Sequence, residues 1–370
     1  MISSTPRFAQ PGSAVLMIAV LLSGCGLVAE SAPHDRIDRS WMRNVAENPA
    51  ATAEQVVDAG SAVDAASVGG TTLVTFVVHQ GTSEGRSAAA WRLYDAHERP
   101  IGTEHAGVTT EGAASAAVLA IPDGYLVREI DGPIWRLSLD GARVKVRQAE
   151  ALIPPQPGDV PLDDGTTRLY RPASGTVFTA APRADGDRQG WAVTDAGTIW
   201  VQRLGRTGQV PFARSSAWGT WEPVASYSPR RGQAVNSLAL TAVGGMLVVP
   251  VTAEGKDVET ATLVGLLMRS DDAPAGQPWE LLEAQGIGGT TWWDARASVV
   301  DATTVAVGTW GQAPHLVDLT DRTWQRMEPP TAEHGWDYHF EDGTVYATHS
   351  DHADAWASSD RGEHWGRLPH

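Results

Sequence analysis

The stretch that decides the fold of this 370-residue chain is Ser358-Ser359-Asp360-Arg361-Gly362-Glu363-His364-Trp365. Short segments with strand-like composition lie on both sides of it. Asp360 can accept hydrogen bonds from backbone N–H groups of its own loop, Gly362 can adopt a left-handed conformation, and Trp365 can pack beneath the loop. The stretch therefore predicts an ordered turn between the last two strands of the chain.

The same stretch resembles the Asp-box, Ser-x-Asp-x-Gly-x-Thr-Trp, of bacterial neuraminidase repeats. The matching residues are Ser358, Asp360, Gly362 and Trp365, while His364 stands where the repeat has Thr. In that family the boxes lie away from the active site, so the resemblance implies a β-propeller fold and not hydrolysis.

Three decayed copies of the box precede the complete one. They keep the order of its residues with insertions, deletions or replacements: Ser270, Asp272, Gly276 and Trp279; Ser215, Gly219, Thr220 and Trp221, with Ala217 in place of Asp; and Asp321 to Trp324. The tryptophans of all four copies take equivalent positions on a closing strand. We therefore expect these tryptophans to serve in packing and not in ligand binding.

A second pattern, a small turn followed by an apolar strand, recurs from about residue 63 to the end of the chain. Most copies are spaced near the ~40–50 residues of a four-stranded propeller blade. They begin at Gly70, Gly124, Gly197, Gly245, Thr303 and Gly343. A further copy, Gly175-Thr176-Val177-Phe178, is either a seventh blade or a hairpin inserted into the third. The sequence predicts an all-β fold, a β-propeller of six four-stranded blades with a seventh as the alternative.

The first residues of the chain predict its location. An apolar run from Ala14 to Leu22 is too short to span a bilayer but has the length of a signal-peptide core. The run ends in Leu22-Ser23-Gly24-Cys25, which resembles the bacterial lipoprotein box. The resemblance implies cleavage before Cys25 and lipidation of its thiol, which would anchor the protein to the cell membrane on the extracytoplasmic face. An ordinary secreted protein and an uncleaved anchor are the alternatives.

The chain is accordingly divided into three parts: a signal peptide over 1–24, a lipidated N-terminus and linker over 25–62, and the propeller over 63–370. In the linker, a short helix is predicted between Asp38 and Val57, with Pro49 interrupting it.

Composition excludes several classes of protein. The single Cys cannot form a disulfide within the chain, and a net charge of −16 argues against binding to nucleic acid. Of the 28 basic residues only Lys145 and Lys256 are lysines, which indicates the GC-rich genome of a bacterium. No nucleotide-binding loop or nucleophile motif is present, and we expect no cofactor.

Two groups of residues have the side-chain types of a catalytic or metal-binding site. A sialidase-like glycoside hydrolase would need an arginine triad and a Tyr-Glu pair, and the nearest string, Tyr170-Arg171-Pro172, does not match the family's hallmark. A histidine-rich group near the C-terminus, His339, His349, Asp351, His352 and Asp354, has the residue types that bind zinc. Because most of it falls in a turn between two predicted strands, we expect a solvated turn and no metal.

A third group consists of tryptophans that precede the inner strands of their blades. Trp292, Trp293 and Trp336 lie where propellers commonly dock ligands, and exposed aromatic side chains there would stack on sugars or anchor a protein. Packing between blades is the alternative.

Together the patterns favour a non-catalytic binding or assembly module at the cell envelope, with an envelope protein or glycan as partner. The resemblance extends to non-catalytic Asp-box propellers such as sortilin-type receptors and photosystem assembly factors. A sialidase-like glycoside hydrolase is the alternative function.

Overall fold

Short β-rich segments separated by Gly, Asp and Pro form strands along most of the chain. The computed structural model describes residues 37–80, 85–109, 116–128, 132–162, 168–180, 190–202, 210–215, 221–235, 240–254, 261–284, 287, 295–309, 312–341 and 343–368. They belong to one unit that runs from Asp35 to His370. The predicted signal peptide and Cys25 lie outside the described residues.

Each of the first three blades is a four-stranded sheet. Blade 1 contains β1 (Ser61–Val68), β2 (Thr71–His79), β3 (Ser87–Tyr94) and β4 (Pro100–Thr109). Blade 2 contains β5 (Ala117–Ile121), β6 (Gly124–Arg128), β7 (Ile134–Ser138) and β8 (Arg143–Lys145). Blade 3 contains β9 (Arg147–Leu152), β10 (Val160–Pro161), β11 (Arg168–Arg171) and β12 (Thr176–Thr179).

Four further blades complete the propeller. Blade 4 contains β13 (Gly190–Val193), β14 (Ile199–Gln202), β15 (Val210–Ser215) and β16 (Glu222–Tyr227). Blade 5 contains β17 (Gln233–Val235), β18 (Thr241–Val243), β19 (Met246–Glu254), β20 (Ala261–Ser270) and β21 (Glu280–Glu283). Blade 6 contains β22 (Arg296–Val299), β23 (Thr304–Gly308), β24 (His315–Asp318) and β25 (Thr323–Arg326). Blade 7 contains β26 (Trp336–Glu341), β27 (Thr344–His349), β28 (Trp356–Ser358) and β29 (Gly366–Arg367).

The propeller therefore has seven blades, and the predicted all-β fold is confirmed with the higher of the two blade numbers. The additional blade is blade 3, which contains the copy at Gly175. In blade 5 the first position is divided between β17 and β18, which both pair with β19.

Blade 3 departs from the chain order of the other blades. Its sheet order is β10-β11-β12-β9, so its fourth position is filled by the strand that comes first in the chain. β9 runs parallel to β12, whereas the remaining pairs of the blade are antiparallel. Only Val146 separates β8 from β9, and its N–H donates to Ile134 O at 2.8 Å. One extended segment thus runs from the edge of blade 2 to the edge of blade 3.

Apolar packing between neighbouring sheets holds the ring together. A blade inside a ring has a neighbour on both faces, so its middle strands bury consecutive residues and not alternate ones. All eight residues of β3 are buried, and one apolar cluster joins Trp91 of blade 1 to Tyr125 of blade 2.

The seam between blades 7 and 1 closes the ring without a shared strand among the described sheets. β1 packs against β26 and β27, and Thr348 Oγ1 donates to Val63 O at 3.3 Å. On the inner strands, Asp64 Oδ2 accepts from Val118 N–H at 2.9 Å, and Glu341 Oε1 accepts from Ala120 N–H at 2.7 Å. Carboxylates of blades 1 and 7 thereby bind the backbone of blade 2.

Two helices cover this seam. Helix α1 (Arg39–Glu47) and helix α2 (Ala53–Ala59) bury Met42 and Val57 in one cluster with Tyr346 of blade 7 and Phe76 of blade 1. Neither helix of the described residues has the length and apolar character that a bilayer crossing requires.

Polar contacts fix the two helices to the ring at both ends. Ile37 N–H donates to Asp351 O at 3.3 Å, and Arg39 pairs with the Asp351 carboxylate at 2.5 Å. On the other side, Arg92 of β3 binds Glu54 and Asp58 of α2.

Within the predicted linker over 25–62, the described residues form both helices and the start of β1. Asp38 caps α1, Pro49 lies between the helices, and Thr52 and Gln55 form a capping box that starts α2. The helices were predicted as local structure, but their buried apolar faces make them part of the propeller's core.

The helices are expected to contribute to stability through their buried face. We predict that Met42→Ala lowers the free energy of unfolding by about 2–5 kcal/mol, because it removes a side chain that is 2% exposed and leaves a cavity. Trp41→Ala, at the neighbouring and 45% exposed position, is the control, with a change within about 0.5 kcal/mol. Urea denaturation of both variants measures the difference. Equal effects would show that the helices do not pack as described.

Candidate binding surface

The loop from Ser358 to Trp365, which resembles an Asp-box, is held by hydrogen bonds within itself. Ser358 Oγ donates to Asp360 Oδ1 at 2.7 Å, and Gly362 N–H donates to Ser358 Oγ at 2.8 Å. His364 N–H donates to Asp360 Oδ1 at 2.9 Å. The His364 backbone N–H and the Ser358 hydroxyl hold the pKa of Asp360 far below its usual range. These are the local contacts that the sequence predicted for the loop.

Gly362 and Trp365 attach this loop to blade 6. Gly362 has a φ of 85°, and a Cβ at this position would lie 2.3 Å from the Met327 side chain. The indole N–H of Trp365 donates to Glu328 O at 3.0 Å. The box is therefore a turn that joins two blades, and its residues are used structurally.

Similar turns connect the third and fourth strands of other blades. Asp95 accepts from two backbone N–H groups in blade 1, and Asp318 does so in blade 6. In blade 2, Ser138 donates to Asp140, and in blade 5 Ser270 donates to Asp272. The likeness of the turns at Asp95 and Asp140 to the box was not predicted, although Ser138-Leu139-Asp140-Gly141 carries the start of the box. In blade 4, residues 216–220 of the copy lie outside the described residues.

The box tryptophans pack as expected in each described case. Trp279 is buried against Phe212 with ring centroids 4.2 Å apart. Trp221, Trp324 and Trp365 are half-buried against the apolar clusters of their blades.

Trp336 does not belong to an exposed face, which corrects one of the three predicted binding residues. It is 2% exposed, and the His352 ring stacks on it with an interplanar angle of 8°. As the first residue of β26, it packs inside blade 7. Trp292 and Trp293 lie outside the described residues and remain a prediction.

The histidine-rich group is not a solvated turn, contrary to expectation. His349, His352 and Asp354 are all buried. His349 Nδ1 accepts from Asp351 N–H at 3.0 Å, and its Nε2 lies 2.8 Å from His334 O, so both ring nitrogens are occupied. His352 Nε2 lies 2.5 Å from a Glu333 oxygen. As arranged, these side chains stabilise the end of blade 7 that contacts α1.

The remaining His339 lies apart from that group, on the seam between blades 7 and 1, with Nδ1 3.7 Å from Asp64 Oδ1. A different set, Asp360, Glu363 and His364, brings its ligand atoms within 4.8 Å of one another. All three are at the surface, and His364 Nδ1 is hydrogen-bonded to Asp360 Oδ2 at 2.6 Å.

Arg171, from the string that does not match the hydrolase hallmark, binds a carboxylate of this chain. Its Nε and Nη2 donate to the two oxygens of Asp159 at 2.8 and 2.7 Å, and Nη2 also donates to Pro154 O. The guanidinium lies 4.7 Å from the Phe178 ring centre. The neighbouring Tyr170 is fully buried. This string is thus closed to an external ligand.

Other arginines are engaged in the same way. Those that form ion pairs with carboxylates of the chain are Arg39, Arg92, Arg99, Arg136, Arg143, Arg214, Arg322, Arg361 and Arg367. Arg269 instead donates to backbone oxygens of Ala273 and Pro274. In the described part of the chain, more than half of the arginines are therefore bound by the chain itself.

The segment of β8 and β9 combines exposed cations with exposed apolar residues. It borders a shallow groove of about 650 Å³ that is wide open to solvent, and the lining residues of this groove are Gly132, Pro133, Lys145, Val146, Arg147 and Gln148. Neither Lys145 nor Arg147 forms an ion pair with a residue that the structure describes. Val144 and Leu152, at the two ends of the segment, are 64% and 40% exposed. We take this basic and apolar segment as the candidate binding surface.

This surface was not predicted, although the sequence contains a pattern that indicates it. Arg143-Val144-Lys145-Val146-Arg147 places three cations at alternate positions in a chain with a net charge of −16. Alternation predicts a strand with its cations on one face. Only the strand pairing shows that the segment lies at the edge of two blades.

Comparisons with known proteins give no family for this chain. No protein-family profile matches it, and no curated protein does. Among solved structures, it is similar to a puromycin-hydrolyzing peptidase of Mycobacterium tuberculosis, with 11% identity over 87% of this chain and 54% of that one, and a TM-score of 0.49. A puromycin hydrolase has 10% identity over 91% of this chain and 56% of that one, with a TM-score of 0.45. This chain thus spans little more than half of either protein.

A third similar structure is the β-propeller domain of the Trilobed protease from Pyrococcus furiosus, described as having an open velcro topology. The identity is 10%, the coverage is 84% of this chain and 98% of that one, and the TM-score is 0.47.

The low pKa of Asp360 has a consequence for stability. A carboxylate whose folded pKa lies below its unfolded value of about 4 stabilises the fold above that value, and the contribution is lost as pH falls through the folded pKa. We predict that Asp360→Ala lowers Tm at pH 7 and that the gap to the wild type narrows as pH falls below about 4. Glu363→Ala, on the same loop, is the control. A gap that is independent of pH would contradict the role of the ionised carboxylate.

The Arg171 pair is predicted to be structural. Arg171→Ala should lower the free energy of unfolding by roughly 2–4 kcal/mol, because it leaves the Asp159 carboxylate, which is 2% exposed, without its cation. Arg322→Ala breaks a pair whose side chains are 53% and 54% exposed and should cost less than about 1 kcal/mol. Chemical denaturation of both variants provides the measurement. An Arg171→Ala variant as stable as the wild type would contradict the structural role of the pair.

Proposed function

We propose that this chain is a lipid-anchored, extracytoplasmic binding module of the bacterial cell envelope, with Asp-box turns as structural elements of its propeller. The motif at Leu22-Ser23-Gly24-Cys25 supports the anchor, and the absence of any further Cys leaves this thiol free of disulfide pairing within the chain. The net charge of −16 keeps the folded domain away from anionic headgroups, so the lipid supplies the attachment.

The observation that carries the non-catalytic role is the closed environment of Arg171. The alternative, a sialidase-like hydrolase, needs arginines that are open to the carboxylate of a substrate. Arg171 is occupied by Asp159 and Pro154 O, and most other described arginines bind the chain itself. A rigid ring in which most described arginines bind the chain itself is suited to binding a partner by its shape and by its remaining surface groups.

The proposed partner is an envelope protein or glycan. Trp292 and Trp293 stay as candidates for one binding face, and the segment of β8 and β9 is a second surface. The polar groups that could serve in catalysis are bonded within the chain, so the proposed role of both surfaces is binding alone.

Replacement of Cys25 tests the anchor. We predict that the wild type carries diacylglycerol on an N-terminal Cys25, seen by intact mass, and partitions into the detergent phase. Cys25→Ser should keep residues 1–24 and lack the lipid, whereas the control Ser31→Ala should behave as wild type. A wild-type protein whose intact mass shows no diacylglycerol on Cys25 would contradict lipid anchoring.

The alternative function is tested separately with a fluorogenic sialoside. The purified protein should not hydrolyse it above the buffer rate. Hydrolysis above that rate would establish the glycoside hydrolase and overturn the proposed role.

A further inference from the structure

The segment from Arg143 to Leu152 has a free backbone edge. β9 pairs with β12 on one side, and no described strand pairs with its other side. Five of its six residues are exposed. Six residues of strand present a row of N–H and C=O groups about 20 Å long. Edges of this kind accept an additional strand unless something covers them.

The charge on this edge selects against a second copy of the same chain. Arg143, Lys145 and Arg147 place three cations within five residues, and no acid follows before Glu150. Arg143 is neutralised by Glu104 at 2.9 Å and lies over the Trp135 ring. Lys145 and Arg147 form no ion pair with a described residue, so the cations of two such edges would repel each other. A strand that carries carboxylates would instead be attracted.

The groove gives the incoming strand a place to lie. It is about 650 Å³ in volume and passes beside both cations where the chain crosses from blade 2 to blade 3. Val144 and Leu152, at the two ends of the same segment, are exposed apolar residues that a strand added along the segment would cover. A small anion would satisfy the cations but would leave the backbone row unpaired. Only an extended polypeptide repeats at the spacing of that row.

We propose that this groove binds an extended acidic segment of another protein, which adds as a strand to β9 and pairs its carboxylates with Lys145 and Arg147. The inference rests on the proposed binding role and names the chemistry of one partner. It does not depend on lipidation of Cys25, because strand addition takes place on the propeller itself.

The test measures binding of a fluorescent ten-residue peptide of alternating Glu and Thr to the full-length protein in detergent. Fluorescence anisotropy should show saturable binding that weakens with salt. Lys145→Glu combined with Arg147→Glu should raise Kd by at least about tenfold, because attraction becomes repulsion. The matched control is Arg230→Glu combined with Arg231→Glu, an exposed basic pair elsewhere on the ring, which should leave Kd within about twofold.

Two further arms make the result decisive. Lys145→Gln combined with Arg147→Gln keeps the strand and should give an intermediate Kd, which guards against misfolding of the reversed pair. The same peptide with alternate backbone nitrogens methylated cannot pair with an edge and should fail to bind. Equal binding of the methylated peptide, or equal loss in the control pair, would overturn the proposal. Failure of this test leaves the Cys25 experiment unaffected, so the two can be told apart.

Discussion

Closure of the ring at the seam between blades 7 and 1 is the constraint on which the rest of the structure depends. Seven sheets stacked around an axis leave two faces that must meet, and here no described strand is shared between them. The apolar faces of α1 and α2 bury that junction, with Met42 and Val57 in one cluster with Tyr346. Arg92 and Asp351 then fix the helices to the first and last blades.

The polar side chains that the sequence offers for catalysis or metal binding are likewise bonded within the fold. Arg171, His349 and His352 each have the residue type of a reactive or ligand-binding group, yet each is bound by a neighbour in the fold. A buried polar group without a partner destabilises a protein, so the partners follow from burial. What remains for binding is at the edges of blades, where backbone and charge are still open.

The parts predicted from the sequence are those whose contacts lie close together along the chain. The box loop from Ser358 to Trp365 forms its hydrogen bonds within seven residues, so the order of residue types is enough to define it. Trp336 is buried by the ring of His352, which belongs to the segment between β27 and β28. Helix α1 packs in one cluster with Tyr346, which lies hundreds of residues downstream of the helix. The parallel pairing of β9 with β12 likewise has no signal in periodicity. Such contacts follow only from how the blades are arranged in space.

The bond between Arg39 and Asp351 joins residues that are 312 positions apart, which makes closure a matter of timing as well as of stability. Contacts of high contact order form late, because the intervening chain must first be ordered. Among the described elements, α1 and α2 are synthesised first and blade 7 last. Blade 1 packs on both helices and follows them directly in the chain, whereas the contacts of the helices with blade 7 form only at the end of synthesis.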